Sequence, residues 1–338
     1  MGFLQPFVNW ENKILNIDYM DLISRRYFIK KSMVVASTIP FIGIGEKMMA
    51  ITKQTQITEN LDVSIFSKHL QFLDYRALGE KAAEMGFAGI DLTVRAGGHV
   101  EPKTVKTDLP KAVTEIKQGG SKVKMIATTT ENVNNPLDID ILTAASDCGI
   151  NYYRSNWLKY PKGKSLPDSL DMYAQQLKEL SLLNKKLGVI GCYQNHAGNL
   201  VGGSLWEVYK ILELVDKNYF GAQYDIRHAM VEGANSWVNG LELIHKQIKT
   251  IVVKDFKWGI VNGKCELINT PIGDGMVDFK RFFRMLKDYQ IKVPVSMHCE
   301  YDLGGAEKGN REISVYPSVV FDAMKKDLNK IQELWREA

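Results

Sequence analysis

The sequence predicts an α/β fold, a single (β/α)8 TIM barrel preceded by an N-terminal signal segment. From residue 61 onward, short apolar or β-branched runs alternate with amphipathic stretches, which is the pattern of βα units and a parallel sheet. Eight such units can be distinguished, and residues 51–338 lie within the size range of an eightfold barrel. An open doubly wound sheet is the alternative, although the first predicted strand lacks the Gly-x-Gly-x-x-Gly turn that a dinucleotide site requires.

Composition and charge exclude several classes of protein. The chain has 338 residues, 45% of them hydrophobic and 24% charged, which argues against disorder, collagen-like repeats and a coiled coil. The formal net charge is +4, and residues 1–50 hold half of this excess, with six Lys/Arg against four Asp/Glu. A nucleic-acid binder that works by bulk charge is therefore excluded. Four widely spaced cysteines exclude a thiolate zinc cluster but leave one or two disulfides open.

Residues 1–50 have the arrangement of an export signal. Arg25 and Arg26 precede an uncharged stretch, residues 32–45, that is too short to span a membrane as a helix. The arrangement resembles the twin-arginine signal, which implies the twin-arginine export machinery as a partner, a periplasmic or otherwise exported location and no permanent membrane anchor. A basic amphipathic helix is the alternative. We accordingly divide the chain into a signal segment, residues 1–50, and a barrel, residues 51–338.

Eight runs are predicted to form the barrel strands. They are Asp62–Phe66, Gly89–Val94, Val123–Thr128, Tyr152–Ser155, Gly188–Tyr193, Gly221–Asp225, Thr250–Lys254 and Val293–Cys299. Six segments have the periodicity of a helix. They are Tyr75–Met85, Ser169–Leu187, Ser204–Lys217, Trp237–Gln247, Asp278–Tyr289 and Pro317–Arg336. Long loops are predicted over residues 95–110, 255–277 and 301–316, and long loops on a rigid scaffold usually build binding sites or lids.

Polar side chains gather at the predicted carboxyl ends of the strands, where barrels of this kind place their chemistry. Five of the six histidines fall there: His69, His99, His196, His228 and His298. A single histidine at such a position is more often structural, but five at one rim predict a binding site. Accompanying groups are Asp91, Arg95, Gln194, Asn195, Asp225, Arg227, Lys254, Asp255 and Glu300. Imidazole, carboxylate and amide groups that converge in this way suit a divalent cation or a polyhydroxylated ligand.

Substrate-binding candidates follow from this rim. We assign His69, His99, His196, His298 and Arg95 to substrate binding, together with the indole rings of Trp157 and Trp258. The two tryptophans come just after predicted strands 4 and 7, where an indole face can stack on a sugar ring or pack a loop onto the barrel. Lys254 and Asp255 are adjacent, so a structural ion pair between them is also open.

Five short motifs follow one another along the chain. They are Gln194–Gly198, Asp225–His228, Val253–Asp255, Gly273–Phe279 and Glu300. Together they resemble the xylose isomerase-like superfamily of sugar isomerases and epimerases, over about residues 60–335. The resemblance implies a (β/α)8 barrel that holds a divalent metal ion through side chains after strands 5, 6, 7 and 8, and a small-molecule carbohydrate as partner.

The resemblance also implies a metal-binding set, namely Gln194, Asp225 and Glu300. The family more often has Glu at the first position, and its third ligand falls near Val252, which cannot bind metal. Because Gln194 cannot accept a proton from carbon, a symmetric two-glutamate mechanism is not expected. A one-carboxylate site remains, with Glu300 as base or ligand. Lys254 and His228 are then available to protonate or polarise a sugar oxygen.

The sequence therefore predicts a carbohydrate isomerase or epimerase that removes a proton next to a sugar carbonyl. The prediction includes metal assistance and a non-phosphorylated sugar or glycoside as substrate. A lyase or hydrolase of keto-sugar glycosides that uses the same residues is an alternative, as is a non-catalytic sugar-binding barrel. An apurinic endonuclease is not expected, because predicted strands 3 and 7 end in Thr128 and Lys254 rather than in histidine ligands.

Overall fold

The computed structural model describes residues 60–338, and this part of the chain contains ten β-strands. They are Val63–Phe66 (β1), Gly89–Thr93 (β2), Val123–Ala127 (β3), Tyr152–Arg154 (β4), Ile190–Gln194 (β5), Phe220–Asp225 (β6), Ile248–Val253 (β7), Asp255–Val261 (β8), Lys264–Thr270 (β9) and Val295–Met297 (β10). Eight of them close into a parallel barrel in the order β1-β10-β7-β6-β5-β4-β3-β2. The predicted (β/α)8 fold and all eight predicted strands are confirmed. The predicted signal segment, residues 1–50, lies outside the described residues.

Nine α-helices follow the strands in residues 60–338. They are Tyr75–Met85 (α1), Val105–Gln118 (α2), Pro136–Asp147 (α3), Leu166–Leu187 (α4), Leu205–Ile211 (α5), Ile226–Gly233 (α6), Trp237–Ile244 (α7), Phe279–Asp288 (α8) and Pro317–Glu337 (α9). The helix predicted over residues 204–217 ends at Ile211. None of these nine helices has the length and apolar character of a membrane span.

Three helices were not predicted from the sequence, and each has a local reason. Helix α2 contains Pro110, a residue that usually marks a loop or a helix end. Helix α3 begins at Pro136 after the capping side chain of Asn135 and has an apolar face that is poorly separated from its polar face. Helix α6 starts directly at the end of β6, so no loop separates the two elements.

Alternating residues of the strands supply two different layers. On β6 the fully buried Tyr224 points outward and stacks on Phe282 of α8, with ring centroids 5.7 Å apart. Its neighbour Asp225 points into the barrel instead. Phe279 and Phe283 are buried on the same helix face as Phe282, and burying each such ring contributes about 1.5–3 kcal/mol of hydrophobic free energy. The outward layer thus fixes the helices, and the inward layer positions the polar site.

The long loop predicted over residues 255–277 contains an antiparallel hairpin, β8–β9. Its turn is formed by Asn262 and Gly263, whose φ angles of 51° and 77° are those of a type I′ turn. An Asn-Gly pair between two apolar-rich runs is the usual signal for such a turn, so the hairpin could have been read from the sequence. All four cysteines of the chain are free, so the disulfides that the sequence left open do not form.

Asp255 anchors the hairpin to the barrel. Its buried carboxylate accepts backbone N–H hydrogen bonds from Phe256 at 2.8 Å, Gly273 at 2.9 Å, and Gly275 and Val277 at 3.1 Å each. At Gly275 a Cβ atom would lie 2.2 Å from the Asp255 Oδ1, so only glycine allows the chain to approach this closely. Asp255 therefore acts through the backbone and forms no ion pair with Lys254.

We expect Asp255→Ala to destabilise the fold, because four backbone donors lose their buried acceptor. The expected loss is about 2–4 kcal/mol of unfolding free energy in urea titration. Asp274→Ala, a change at a neighbouring exposed carboxylate, serves as the control and should cost less than about 0.5 kcal/mol. Equal stability of the two variants would contradict the anchoring role of Asp255.

Candidate active site

A narrow cleft opens at the carboxyl ends of the barrel strands, where the sequence predicts the site. Its lining residues follow six of the eight barrel strands. They are Phe66, Lys68, Arg95, Arg154, Trp157, Gln194, His196, Lys254, His298 and Glu300. Most of these positions were predicted from the sequence, and the structure brings them together at one rim.

The buried Lys254 ammonium joins three side chains of the site. Its Nζ lies 2.8 Å from the Nε2 of His228. Nζ also lies 3.2 Å from Asp225 Oδ2 and 3.3 Å from Glu300 Oε1. Only 4% of the Lys254 side chain and none of the Asp225 side chain is exposed. Burying an unpaired ammonium would cost much free energy. The two carboxylates offset this cost for Lys254.

Asp225 is surrounded by hydrogen-bond donors. Its Oδ1 accepts the backbone N–H of His228 at 3.1 Å, which caps α6, and its Oδ2 accepts the amide Nε2 of Gln194 at 2.8 Å. The side chain of Asn195 holds the Asp225 backbone, donating to the carbonyl at 2.9 Å and accepting the N–H at 2.8 Å. Burial alone would raise the pKa of Asp225, but the Lys254 charge and the hydrogen bond from the His228 backbone N–H help to lower this pKa to about 2. The carboxylate is therefore ionised at neutral pH.

A cation flanks each ring nitrogen of His228. Lys254 lies at Nε2, and the Nη1 of Arg227 lies 3.0 Å from Nδ1. Burial first and then Lys254 lower the pKa of His228 well below its usual value, so the ring is neutral at pH 7. Arg227 also donates to the Oδ1 of Asn269 at 2.7 Å, and Asn269 donates to the backbone carbonyl of Glu300 at 3.2 Å. Strand β9 of the hairpin thereby contacts the site.

Glu300 is the carboxylate that faces the cleft, with 24% of its side chain exposed. Burial alone would raise the pKa of Glu300, but Lys254 and the neighbouring His298 hold this pKa well below its usual value. His298 Nδ1 lies 3.8 Å from Glu300 Oε1, and neither ring nitrogen of His298 has a hydrogen-bond partner. Its ring stacks on Phe66 at 4.2 Å, and burial lowers the pKa of His298 to about 4. The ring is therefore neutral and buried in the cleft wall, with both nitrogens unpartnered.

Aromatic rings form another wall of the cleft. Trp157 and His196 are in edge contact with ring centroids 4.7 Å apart, and His196 lies 4.0 Å from the ring of His228. The guanidinium carbon of Arg154 lies 4.3 Å from the centre of the Trp157 ring. Burial lowers the pKa of His196, so a neutral imidazole and an indole offer apolar surface beside polar nitrogens.

Three predicted substrate-binding residues do not line the cleft. His69 is fully buried, and its Nε2 accepts the backbone N–H of Cys299 at 3.1 Å. His99 is 8% exposed, with Nδ1 3.4 Å from the hydroxyl of Thr93. Trp258 lies on the hairpin and is 46% exposed. Both histidines are buried outside the lining of the cleft.

Three lining residues were missed by the sequence analysis: Phe66, Lys68 and Arg154. Phe66 and Arg154 are the last residues of β1 and β4, and Lys68 follows β1 by two residues. The strand-end rule that selected Gln194 selects these positions equally well. A search restricted to histidines, acids and their close companions passed over them.

The residues at the predicted metal position do not fit a divalent cation. Val252 shares the sheet level of Asp225 and offers no ligand atom, and the nitrogen of the Gln194 amide faces Asp225. The Lys254 ammonium already occupies the space between the two carboxylates. Among residues 60–338, no three His, Cys, Asp or Glu side chains are arranged to hold a metal ion. Within the predicted set, Lys254 links Asp225 to Glu300, and Gln194 bonds Asp225. The charge of Lys254 takes the place expected for a metal.

The family of the chain follows from comparison with known proteins. A protein-family model described as xylose isomerase-like TIM barrel matches residues 79–314. The chain belongs to the xylose isomerase-like TIM barrel family. The resemblance inferred from five motifs is thereby confirmed. No curated protein matches the chain significantly.

Solved structures of this family share the fold at low sequence identity. D-psicose 3-epimerase from Clostridium cellulolyticum H10, solved with D-tagatose, is 13% identical with a TM-score of 0.62, covering 81% of this chain and 99% of that chain. The 3-keto-D-glucoside 4-epimerase of E. coli is 13% identical with a TM-score of 0.58, covering 79% and 98%. A xylose isomerase-like TIM barrel protein from Mycobacterium smegmatis, in complex with magnesium, is 11% identical with a TM-score of 0.58, covering 82% and 99%. At this identity the similarity establishes the fold alone.

We expect the purified protein to contain less than about 0.1 divalent metal ion per chain, because an ammonium ion between two carboxylates repels a second cation. Inductively coupled plasma mass spectrometry measures the content, and EDTA should leave Tm unchanged. As a positive control, the triple variant Gln194→Glu, Val252→His, Lys254→Ala recreates the ligand set that the family resemblance implies and should bind Mn²⁺ in calorimetry. Stoichiometric metal in the unmodified protein would contradict the role assigned to Lys254.

Proposed function

We propose that the chain is a carbohydrate isomerase or epimerase that removes a proton next to the carbonyl of a non-phosphorylated sugar or glycoside. The observation that carries the proposal is the pairing of an ionised, cleft-facing Glu300 with the Lys254 ammonium 3.3 Å away. An exported enzyme meets free sugars more often than sugar phosphates, so the twin-arginine prediction supports this substrate class. The fold shared with sugar epimerases is consistent with the proposal.

The two groups divide the chemistry of proton abstraction. Glu300 accepts the proton from the carbon next to the carbonyl, and the electron pair of the broken C–H bond moves toward the carbonyl oxygen. The Lys254 ammonium donates a hydrogen bond to that oxygen as negative charge develops there, and in a buried site this stabilisation is much stronger than in water. The hydroxyl proton of the deprotonated carbon then passes to the former carbonyl oxygen. Glu300, now protonated, returns its proton to the former carbonyl carbon, which completes an aldose–ketose isomerisation.

Neighbouring groups orient the substrate for this step. The ring of His298 forms part of the wall beside Glu300. On the other wall, Trp157 and His196 offer ring faces for a sugar ring. Epimerisation additionally requires a second group that returns the proton on the face of the carbon opposite Glu300.

Elimination is the second candidate function, and one observation favours it. Glu300 is the only carboxylate among the residues that line the cleft, since Gln194 stands where the family more often has Glu. Elimination from a keto-sugar glycoside needs one base for the proton next to the carbonyl and an acid for the leaving group. Isomerisation moves hydrogen without loss of a group, so analysis of the products separates the two reactions. A non-catalytic sugar-binding barrel would give neither product nor exchange.

Deuterium exchange tests the proposal directly. The protein is incubated in D₂O with a panel of free and 3-keto sugars, and exchange at carbon is followed by NMR. Glu300→Gln should slow exchange by about 10²–10⁴-fold, because the base is lost while the shape is kept. Glu179→Gln, an exposed carboxylate on α4, is the control and should leave the rate unchanged. Exchange that persists in Glu300→Gln would remove Glu300 from the role of base.

The pH profile gives a second test. Because the pKa of Glu300 lies well below its usual value, the base is ionised throughout, and kcat/KM should stay level from about pH 7 down to about pH 5. Replacing Lys254 with Met removes the main group that lowers this pKa, so the acid limb of any residual activity should move to higher pH. An acid limb between about pH 5 and pH 7 in the unmodified enzyme would contradict the role of an ionised Glu300 as the base.

A further inference from the structure

The cleft carries more positive than negative charge. Four cationic side chains line it, namely Lys68, Arg95, Arg154 and Lys254, against one carboxylate, Glu300. Lys254 is balanced by Asp225 below it and by Glu300, and Lys68 is coupled electrostatically to Glu300. Arg95 and Arg154 remain, and within residues 60–338 neither forms an ion pair with a carboxylate.

Arg154 is buried with incomplete compensation. It is 4% exposed, and its Nε has no hydrogen-bond partner. Its Nη1 donates to the neutral Oε1 of Gln194 at a long 3.4 Å. Burial first and then the charge of Arg95 lower the pKa of Arg154 to about 9. Two like charges that face one cleft raise each other's energy, and a bound anion would relieve this cost.

Arg95 has a similar environment. Its guanidinium carbon lies 5.7 Å from the centre of the Phe66 ring, and the group is half-buried at the cleft wall. The nearest acid in its electrostatic surroundings is Asp91, whose carboxylate accepts the hydroxyl of Ser296 at 2.7 Å. Burial raises the pKa of Asp91 to about 6. Asp91 is a single carboxylate and forms no ion pair with either arginine, so the two guanidinium groups keep a net positive charge.

The strand order shows which residues lie across the barrel from Arg95 and Arg154. In the strand order, β4 with Arg154 lies opposite β10, which leads to Glu300, and β2 with Arg95 lies opposite β6, which ends in Asp225. Arg154 therefore lies across the barrel mouth from Glu300, and Arg95, which follows β2, lies midway between them along the rim. A ligand that spans the cleft would place one end at the arginines and its reacting carbon at Glu300.

We propose that Arg95 and Arg154 form a binding subsite for a carboxylate of the substrate, so that the substrate is a sugar acid, such as a uronic acid or its glycoside. Arginine pairs bind carboxylates through short, charge-assisted hydrogen bonds in fixed geometry. The inference rests on the proposed function for the identity of the reacting end, and on the two guanidinium groups for the charged end. Phosphate is the other oxyanion that arginine pairs bind, and the test separates the two.

Binding is measured by isothermal titration calorimetry on the full chain, without turnover. The probes are D-glucuronate and D-galacturonate, their neutral parents D-glucose and D-galactose, and D-glucose 6-phosphate. We expect at least one uronate to bind about tenfold or more tightly than its parent hexose. Arg95→Gln should remove most of this preference, because uronate binding weakens far more than hexose binding. Arg284→Gln, an exposed arginine on α8, is the matched control and should keep it.

The outcomes are decisive in either direction. Equal affinity for uronates and hexoses, or a preference that survives Arg95→Gln, would overturn the subsite. Tighter binding of the sugar phosphate than of both uronates would overturn its assignment to a carboxylate. Arg154→Gln provides a second variant, and Arg95→Gln keeps the test valid if loss of the buried Arg154 prevents folding. Tight uronate binding without deuterium exchange in any sugar would support the subsite and refute the proposed reaction.

Discussion

The burial of the Lys254 ammonium is the constraint on which the site depends. A lysine this deeply buried is tolerated only when nearby groups compensate its charge, and Asp225 and Glu300 provide that compensation from two different strands. The same cation keeps His228 neutral and holds both carboxylates ionised. Removing any one of these charges would leave the others unbalanced in a poorly solvated region, so the group behaves as a single electrostatic unit.

The ends of the barrel strands position the charged groups of this unit. Asp225 is the last residue of β6, the cap of α6 and the partner of Lys254. The end of one strand therefore determines both where the helix begins and where the carboxylate lies. Asn195 clamps the Asp225 backbone to the end of β5. Asp255, the residue after Lys254, holds the chain on the other side of Lys254, because its carboxylate accepts four backbone N–H groups of the hairpin region. Rigid supports on both sides leave the lysine little freedom to move.

Much of this arrangement could be predicted from the sequence, because strand periodicity and the strand-end rule report on position along the chain. They located all eight barrel strands and the rim residues Asp225, Lys254 and Glu300. Periodicity does not report which way a ring turns after a strand ends, so His69 and His99 could not be distinguished from ligand-binding histidines. Nor does periodicity show which charged side chains from different strands lie close enough to compensate each other. The exclusion of a metal by Lys254 required coordinates, since the distances that decide it join residues from three strands.

The hairpin β8–β9 has a consequence for engineering this protein. Asn269 on β9 reaches Arg227 and the Glu300 backbone, and its face is fixed by the pairing of the two strands. The hairpin can be shortened by removing paired residues from both strands, beginning with Val261 and Lys264. The remaining pairs then keep their register, and Asn269 stays on the same face. Deleting one residue from β9 alone reverses the face of every side chain beyond it and withdraws Asn269 from the rim. Loop-length variants of this protein therefore fall into two classes, separated by whether the number of residues removed from β9 is matched on β8.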